Sequence, residues 1–383
     1  MTPATTVNAI AVEERMLAVD VLRGFDMFWI MGADSLVSAL NKASGGFGPL
    51  KFLAMQLDHV GWAGFHFYDL IFPMFVFIIG VSITLSLDRI VEKEGKPKAY
   101  QRIFRRGLLL YLLGIIYYGG IGAYSTKGIR FVGVLQRLAF SYFATSLLYM
   151  NLRVRGLVIV CATILVGYWV VLTFVPATVP GFEPNATLVH ATYAPGQNLT
   201  NYIDYYYLPG RKWDKTWDPE GILSNIPAVA SCLLGVLAGL LLRNQNVQKQ
   251  KKVLYLAGAG AAIVAIGFLW GLQFPVIKKL WTSTFVLVAG GYSCLLLAAF
   301  YQIIDVWGYR RWAAPFVWIG SNALAIYMLG NFLDFEDLAR RFTGGPIEES
   351  LGNWGALLTV TVGLAMAILT VRWMYKKRLF IKV

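Results

Sequence analysis

The stretch QLDHVGWAGFHFYDLIFPMFVFIIG, residues 56–80, joins a polar segment directly to a long apolar one. From residue 67 to residue 87 the chain is apolar apart from Asp69 and a few hydroxyl side chains. A helix needs about 20 mostly apolar residues to cross the hydrocarbon core of a bilayer. The stretch therefore predicts a membrane-spanning helix that has an aspartate near its beginning and a histidine, His59, just before it.

The rest of the chain has the composition of a polytopic membrane protein. Of its 383 residues, 57% are hydrophobic and 14% are charged, whereas about 25% would be charged in a soluble domain. Windows of similar length predict about ten spans, at approximately 17–40, 66–87, 103–122, 131–150, 155–175, 222–242, 253–274, 280–302, 312–333 and 355–375. The predicted fold class is an all-α, polytopic integral membrane helix bundle.

The net charge of +13 follows the predicted topology. Lysine and arginine concentrate in the connections after the even-numbered predicted spans and in the C-terminal tail, where they are about twice as frequent as on the other side. This bias predicts that both termini are cytoplasmic, with tails 1–16 and 376–383 flanking a transmembrane domain at 17–375. The lipid bilayer is thus an expected partner, and nucleic acid is not.

Two predicted extracytoplasmic loops, 41–65 and 176–221, are longer than the topology requires. The second is rich in Tyr, Trp, Asp, Asn and Gln, which suits carbohydrate recognition, although an interfacial aromatic belt would have a similar composition. Cys161, Cys232 and Cys294 all fall inside predicted spans without metal-ligand spacing. We interpret the cysteines as packing residues and predict no metal site.

The first predicted span contains Asp20, Arg23, Asp26 and Asp34. Each ionised side chain at membrane depth costs about 2.5–3.5 kcal/mol on insertion scales. Asp20 and Arg23 are three residues apart on a helix and can form an ion pair. Asp34 has no basic residue one turn away, so its partner is expected to come from another helix.

His59 is one of three histidines, with His66 and His190. A histidine titrates near neutral pH and can accept and return a proton. A nearby carboxylate would orient its ring. A polar anchor at the membrane interface is the alternative role for His59, and a helix cap is the alternative for Asp69.

Arg137, in the fourth predicted span, requires a carboxylate partner or an anionic ligand. Asp218 and Glu220, just before the sixth predicted span, are candidate partners. Ser321 and Asn322 are further polar residues inside a predicted span.

Six segments together carry a resemblance to a known family. They are LAVDVLRG (17–24), HVGWAGFHFYDLIFPMFVFIIGVSI (59–83), GVLQRLA (133–139), DPEGILSNIPAV (218–229), KKLWTSTFVL (278–287) and SNALAIY (321–327). In this order, over nearly the whole chain, they resemble the heparan-α-glucosaminide N-acetyltransferase family of polytopic membrane enzymes, as a bacterial member.

The resemblance implies an acetyltransferase that takes acetyl-CoA from the cytoplasmic side and acetylates the amino group of a glucosamine-type sugar across the membrane. It also implies that His59 is catalytic, either as a general base or as the acetyl acceptor. The family's lysosomal member has an asparagine late in its first span, where this chain has Asp34. That member also has an additional N-terminal region, so a bacterial inner membrane is the expected location here.

These expectations give a hypothesis for the site. Asp34 orients the catalytic His59, and a second group of residues binds the sugar: Trp62, Asp69, Asp218, Glu220 and Asn322. A third group binds the phosphates of acetyl-CoA: Arg102, Arg105, Arg106, Arg137 and Arg243. Positive-inside topology alone is the alternative explanation for the cytoplasmic arginines. A homodimer is compatible with the resemblance.

A proton-coupled amino-sugar transporter is the alternative function. In that reading Asp34, His59 and Asp69 would form a proton relay across the bundle.

Overall fold

The computed structural model describes residues 16–122, 128–177 and 192–380. Within these ranges every regular element is helical and only two isolated β-bridges occur, which confirms the all-α prediction. The first half of the bundle contains α1 (Leu17–Phe28), a π-helical turn (Trp29–Ala33), α2 (Asp34–Ala43), α3 (Gly48–Gln56), α4 (Phe67–Glu94), α5 (Lys96–Tyr117), α6 (Val134–Asn151), α7 (Val154–Phe174) and α8 (Leu199–Tyr207). The second half contains α9 (Asn225–Arg243), α10 (Lys249–Gly271), α11 (Ser283–Tyr301) with a π-helical extension (Gln302–Val306), α12 (Ala314–Ser321), α13 (Ala323–Phe332), α14 (Phe335–Thr343), α15 (Pro346–Leu351) and α16 (Asn353–Lys376).

Helices occur at all ten predicted spans, but they differ in how well they suit a membrane. Six are long and apolar enough to cross one: α4, α7, α9, α10, α11 with its extension, and α16. Helices α12 and α13, bent by 64° at Asn322, would together make a seventh. Helices α1, α5 and α6 are not among the six. Ten spans and two cytoplasmic termini therefore stay predictions.

Helices α4, α9 and α11 form the centre of the bundle. Their apolar windows are 67–78% buried, whereas the windows of α7 and α10 are 28% and 17% buried. Glycine allows α4 and α9 to touch backbone to backbone. A Cβ on Gly80 would lie 1.9 Å from the Cys232 carbonyl oxygen, and a Cβ on Gly235 would lie 1.9 Å from that of Phe77.

A second close crossing joins α1 to α12. A Cβ on Gly24 would lie 1.8 Å from the Phe316 carbonyl oxygen, and one on Gly320 would lie 2.1 Å from that of Asp20. Helix α1 also packs against α4, and α4 packs against α5 and α6. These helices consequently surround one face of α4, and the candidate site lies on that face.

Several sequence-level expectations fall outside the described residues. They concern His190, residues 178–191 of loop 176–221, residues 1–15 of the N-terminal tail and residues 381–383 of the C-terminal tail. The three cysteines lie in the described part and are buried.

Candidate active site

The loop before α4 is folded around the side chain of Asp69. His66 is the N-cap of α4, and Asp69, three residues later, completes a capping box with it. Asp69 Oδ2 accepts hydrogen bonds from the backbone N–H groups of His66, at 3.1 Å, and Val60, at 3.2 Å. The capping role considered for Asp69 is therefore present, and it fixes the backbone next to His59.

The same loop is attached to the segment before α11. The Gly64 N–H donates to the Val276 carbonyl at 2.9 Å, and Ala63 forms an isolated β-bridge with Ile277. Gly64 has φ of 125°, a region in which glycine is favoured. This attachment brings Lys278, distant in sequence, to the side chain of His59.

His59, Asp69 and Lys278 form a three-residue cluster. His59 Nδ1 lies 2.8 Å from Asp69 Oδ1. Lys278 Nζ lies 3.3 Å from the same carboxylate oxygen, 3.1 Å from His59 Nδ1 and 3.3 Å from His59 Nε2. The Asp69 side chain is 1% exposed, whereas that of His59 is 51% exposed. The cluster thus places a reachable imidazole over a buried acid.

The hydrogen bonds indicate which atoms of this cluster carry protons. Asp69 faces four donors, which is the environment of an ionised, acceptor-only carboxylate. Its contact with Nδ1 therefore requires His59 to donate there, which leaves the lone pair on Nε2 to accept a proton. Burial lowers the pKa of Lys278 from its ordinary value, and the Asp69 carboxylate opposes that shift.

The hypothesis expected Asp34 to orient His59, but the two side chains are not in contact. Asp34 interacts instead with the hydroxyl of Tyr68, and the Tyr68 ring packs 4.9 Å from the His59 ring. The carboxylate that orients His59 is that of Asp69, because Asp69 lies on the first turn of α4 below the loop. Asp34, at the beginning of α2, reaches the histidine only through Tyr68.

A cavity of about 1110 Å³ runs along α4 from this cluster. Its lining includes Tyr68 at one end of the helix and Arg89 at the other, a separation of about 30 Å at 1.5 Å per residue. That length equals the hydrocarbon thickness of a bilayer. We call this space the central cavity, and its two ends the His59 end and the Arg89 end.

The lining of the central cavity changes along its length. At the His59 end it includes Trp62, Tyr118, Trp213, Glu220 and Lys279. The middle is apolar and includes Ile71, Phe72, Phe75, Ile78 and Ile79. Toward the Arg89 end it includes Asp20, Arg23, Ser82, Ser86 and Arg106. The two polar ends of the central cavity are therefore separated by an apolar section.

Asp218 and Glu220 pair with Arg130, not with Arg137. Arg130 donates to both oxygens of Asp218, at 2.8 and 2.7 Å, and to Glu220 at 2.7 Å. Its guanidinium lies between the rings of Tyr118 and Trp213, at 4.3 and 5.0 Å. Asp218 is fully buried in this cluster, whereas Glu220 also lines the cavity.

Arg137 is buried, and its described hydrogen bonds go to neutral groups. It donates to the Pro219 carbonyl at 2.8 Å, to Asn225 Oδ1 at 3.3 Å and to Ser224 Oγ. Its guanidinium also lies 4.4 Å from the Trp281 ring centroid. Neither Asp218 nor Glu220, the candidate carboxylate partners, bonds directly to Arg137. Arg137 lines the cavity, so the other expected partner, an anionic ligand, stays a prediction.

Only some of the arginines that were expected to bind acetyl-CoA line the central cavity. Arg106 and Arg137 line the central cavity, whereas Arg102, Arg105 and Arg243 are absent from its described lining. Arg102 pairs with Glu94 at 2.8 Å, and Arg243 bonds Asp88 and the Thr84 carbonyl.

The remaining predicted residues lie at or beside the cavity. Trp62 lines it and donates from Nε1 to the Tyr193 carbonyl at 2.8 Å. Asn322 is 1% exposed, and neither its side-chain oxygen nor its nitrogen has a hydrogen-bond partner among the described residues. Its neighbours Ser321 and Ala323 line the cavity. Within the described ranges, no group of three His, Cys, Asp or Glu side chains could hold a metal ion.

Lys278, Arg130 and Tyr68 were not predicted as site residues. Lys278 belongs to the segment KKLWTSTFVL and Tyr68 to the segment that contains His59. Both segments had been identified, but helical spacing cannot show that a loop lysine 219 residues away contacts His59. Arg130 lies just before the fourth predicted span, and helical spacing gives no sign of its contact with Asp218, 88 residues away.

The chain is similar to known proteins over most of its length. A family model described as "Heparan-alpha-glucosaminide N-acetyltransferase, catalytic" matches residues 15–208. The human heparan-alpha-glucosaminide N-acetyltransferase is 26% identical over 97% of this chain, and the mouse protein is 26% identical over 96%. The chain spans about 60% of the length of these two relatives.

Proposed function

Because this chain belongs to the heparan-alpha-glucosaminide N-acetyltransferase catalytic family, we propose that it is a membrane-embedded, acetyl-CoA-dependent N-acetyltransferase. The proposed acceptor is the amino group of a glucosamine-type sugar on the extracytoplasmic side, and acetyl-CoA enters from the cytoplasm. The observation that carries the proposal is the central cavity, which joins the His59 cluster to a basic mouth at the far end of α4.

The size of the cavity suits two substrates. Sites for one small molecule usually measure about 300–1000 Å³, and the central cavity measures about 1110 Å³. Arg23, Arg89 and Arg106 at the Arg89 end would bind the phosphates of CoA. The apolar middle section would accept the thin pantetheine arm and lead the thioester toward His59. This route replaces the expected binding at Arg102, Arg105 and Arg243.

The His59 cluster supplies what amide formation from a thioester requires. Asp69 holds Nδ1–H, so Nε2 is available to take a proton from the attacking amine or to accept the acetyl group. Lys278 Nζ lies 3.3 Å from Nε2 and 3.3 Å from Asp69 Oδ1, so its charged group is next to the reacting nitrogen. Lys278 is also close enough to donate a hydrogen bond to the developing oxyanion.

The acceptor would bind among the aromatic residues at the His59 end. Trp62 and Trp213 offer faces for a sugar ring, and Glu220 offers a carboxylate for hydroxyl or ammonium groups. Burial raises the pKa of Glu220, and the neighbouring arginines Arg137 and Arg130 oppose that shift. Asp218 would act indirectly, since it is buried against Arg130 and holds that arginine in place.

The cellular setting forms part of the proposal. The apolar helices support an integral membrane protein, and we propose a bacterial inner membrane with both termini in the cytoplasm. A homodimer is included as a proposal consistent with the resemblance.

The test uses purified full-length protein with acetyl-CoA and glucosamine. We expect thiol release and N-acetylglucosamine formation by the wild type. His59→Ala should lower both by about 10²-fold or more, because it removes the proton acceptor, while CoA binding is retained. Loss of CoA binding in a folded His59→Ala protein would contradict this assignment.

The central cavity extends along most of α4, which would also suit a transporter, so the alternative function needs a test. If the folded wild type neither binds CoA nor releases thiol, proton-dependent uptake of amino sugar into proteoliposomes is the next measurement. Uptake of the amino sugar without acetylation would show that the protein is a permease and not an acetyltransferase.

A further inference from the structure

Lys278 holds a primary amine where the acceptor amine of the proposed reaction must lie. A general base acts on an amine only within about 2.6–3.2 Å or through one water. Lys278 Nζ is 3.3 Å from His59 Nε2, the nitrogen that can accept a proton, which is at the outer edge of that range, and 3.1 Å from Nδ1. The enzyme therefore carries an amine of its own beside the base that activates its substrate.

The neighbouring Lys279 has a different environment. It lies 40% exposed, and Nζ pairs with Asp214 at 3.1 Å and lies 5.4 Å from the Trp217 ring. Lys278 is 19% exposed, lines the central cavity and faces His59 and Asp69. The two adjacent lysines thus differ in their contact with the catalytic histidine, which makes Lys279 an internal control.

Lys278 also has the chemical character of an acceptor. Burial lowers its pKa, which increases the fraction of neutral, nucleophilic amine near neutral pH. Acetyl-CoA entering through the cavity would present its thioester to His59 and Lys278 together.

We propose that Lys278 is an internal acetyl acceptor, so that without sugar the enzyme acetylates its own Lys278 and becomes inactive. This inference rests on the proposed function. Nζ attacks the thioester carbonyl, a C–N bond forms and the C–S bond breaks. The proton leaves Nζ for His59 and passes to the departing thiolate, so the products are free CoA and Nζ-acetyl-Lys278.

Acetylation would inactivate the site for two physical reasons. The amide is uncharged, so it no longer pairs with the Asp69 carboxylate or donates as an ammonium to the developing oxyanion. The added acetyl group also occupies the space beside His59 that a sugar amine must enter. Bound sugar, conversely, would take the acetyl group first and protect the lysine.

The test incubates full-length protein with acetyl-CoA carrying a ¹³C-labelled acetyl group, without sugar. Tandem mass spectrometry of the digested protein then assigns the label to Lys278 or Lys279. We expect label on Lys278, about 10²-fold less of it in His59→Ala, and little of it with saturating glucosamine. Equal labelling of Lys278 in wild type and His59→Ala would overturn the inference, since the reaction would then be uncatalysed.

Parallel measurement of N-acetylglucosamine separates this inference from the proposed function. Sugar acetylation with an unlabelled Lys278 refutes internal acetylation and leaves the enzyme intact. Absence of both products refutes the proposed function and this inference with it.

The conservative variant Lys278→Arg tests the inactivation. Incubation with acetyl-CoA before sugar is added should progressively reduce wild-type activity, whereas Lys278→Arg should keep whatever activity it has before incubation. Equal loss in both proteins would show that Lys278 is not the group responsible.

Discussion

At the scale of single residues, Asp69 combines two tasks that the sequence suggested for different residues. One oxygen caps α4 and fixes the loop, and the other holds the His59 ring. A carboxylate in the first helical turn also interacts favourably with the helix dipole. Helix capping and orientation of the His59 ring therefore depend on the same side chain.

Replacement of Asp69 should consequently affect activity and stability together. Asp69→Asn keeps the shape but removes the charge, so we expect kcat to fall by about 10²-fold or more and stability to fall by about 1 kcal/mol. Acetylation kinetics and thermal unfolding in detergent measure the two effects. Asp34→Asn is the matched control and should cost far less, because Asp34 reaches His59 only through Tyr68. A larger loss in Asp34→Asn would reverse the assignment.

Asp204, on α8, makes stability depend on pH. Burial raises its pKa from the ordinary carboxyl value to about 7. The folded state therefore holds this proton over a pH range in which the unfolded state has lost it. The resulting stabilisation is complete below the ordinary carboxyl pKa and is lost as pH rises to about 7.

Asp204→Asn should flatten this part of the stability profile, which unfolding temperatures on both sides of about pH 7 would measure. A wild-type stability that increases over the same interval, with the increase abolished by Asp204→Asn, would contradict the sign.

At the scale of elements, the crossing of α4 and α9 depends on glycine at the points of backbone contact. Gly80→Ala would bring a methyl group against the Cys232 carbonyl, and we expect a loss of about 1–3 kcal/mol from overpacking. Gly258→Ala on α10 is the control, because nothing lies within 4 Å of its added Cβ. Thermal unfolding compares the two, and equal stability of both variants would show that the crossing is not tight.

The positions of the helices were predictable because apolar windows depend on local sequence alone. Each predicted span coincides with a helix, and the unusual acids of the first span do lie on helices α1 and α2. The side-chain pairings were less predictable. Arg130 and Arg137 are seven residues apart and both lie near the segment DPEG, but only the fold decides that Arg130 takes both acids. Lys278 reaches His59 through a backbone contact between two loops, which has no local signal.

At the scale of the whole molecule, the central cavity has two chemically different ends, the His59 end and the Arg89 end. If it is the path of the acetyl donor, a bulky side chain halfway along α4 should block transfer. Ile79 lines the apolar middle section, so Ile79→Trp should lower acetyl transfer at least about tenfold. Ile266→Trp makes the same change on α10, where the isoleucine is 53% exposed, and should leave activity and unfolding temperature unchanged.

The measurement is the rate of N-acetylglucosamine formation, with the unfolding temperature as a check on folding. Full activity of a folded Ile79→Trp protein would exclude this section as the path of the donor.

The apolar section of the central cavity has an electrical consequence. A passage that joins two aqueous compartments would discharge the membrane that contains it if ions and water filled it. Large apolar side chains that line a passage resist wetting and oppose ion passage. Phe72, Phe75 and Ile79 line the section between the two ends from one face of α4. The protein would then transfer an acetyl group across the membrane without letting ions through. A membrane potential imposed on vesicles that contain the protein should therefore decay no faster than in vesicles without it.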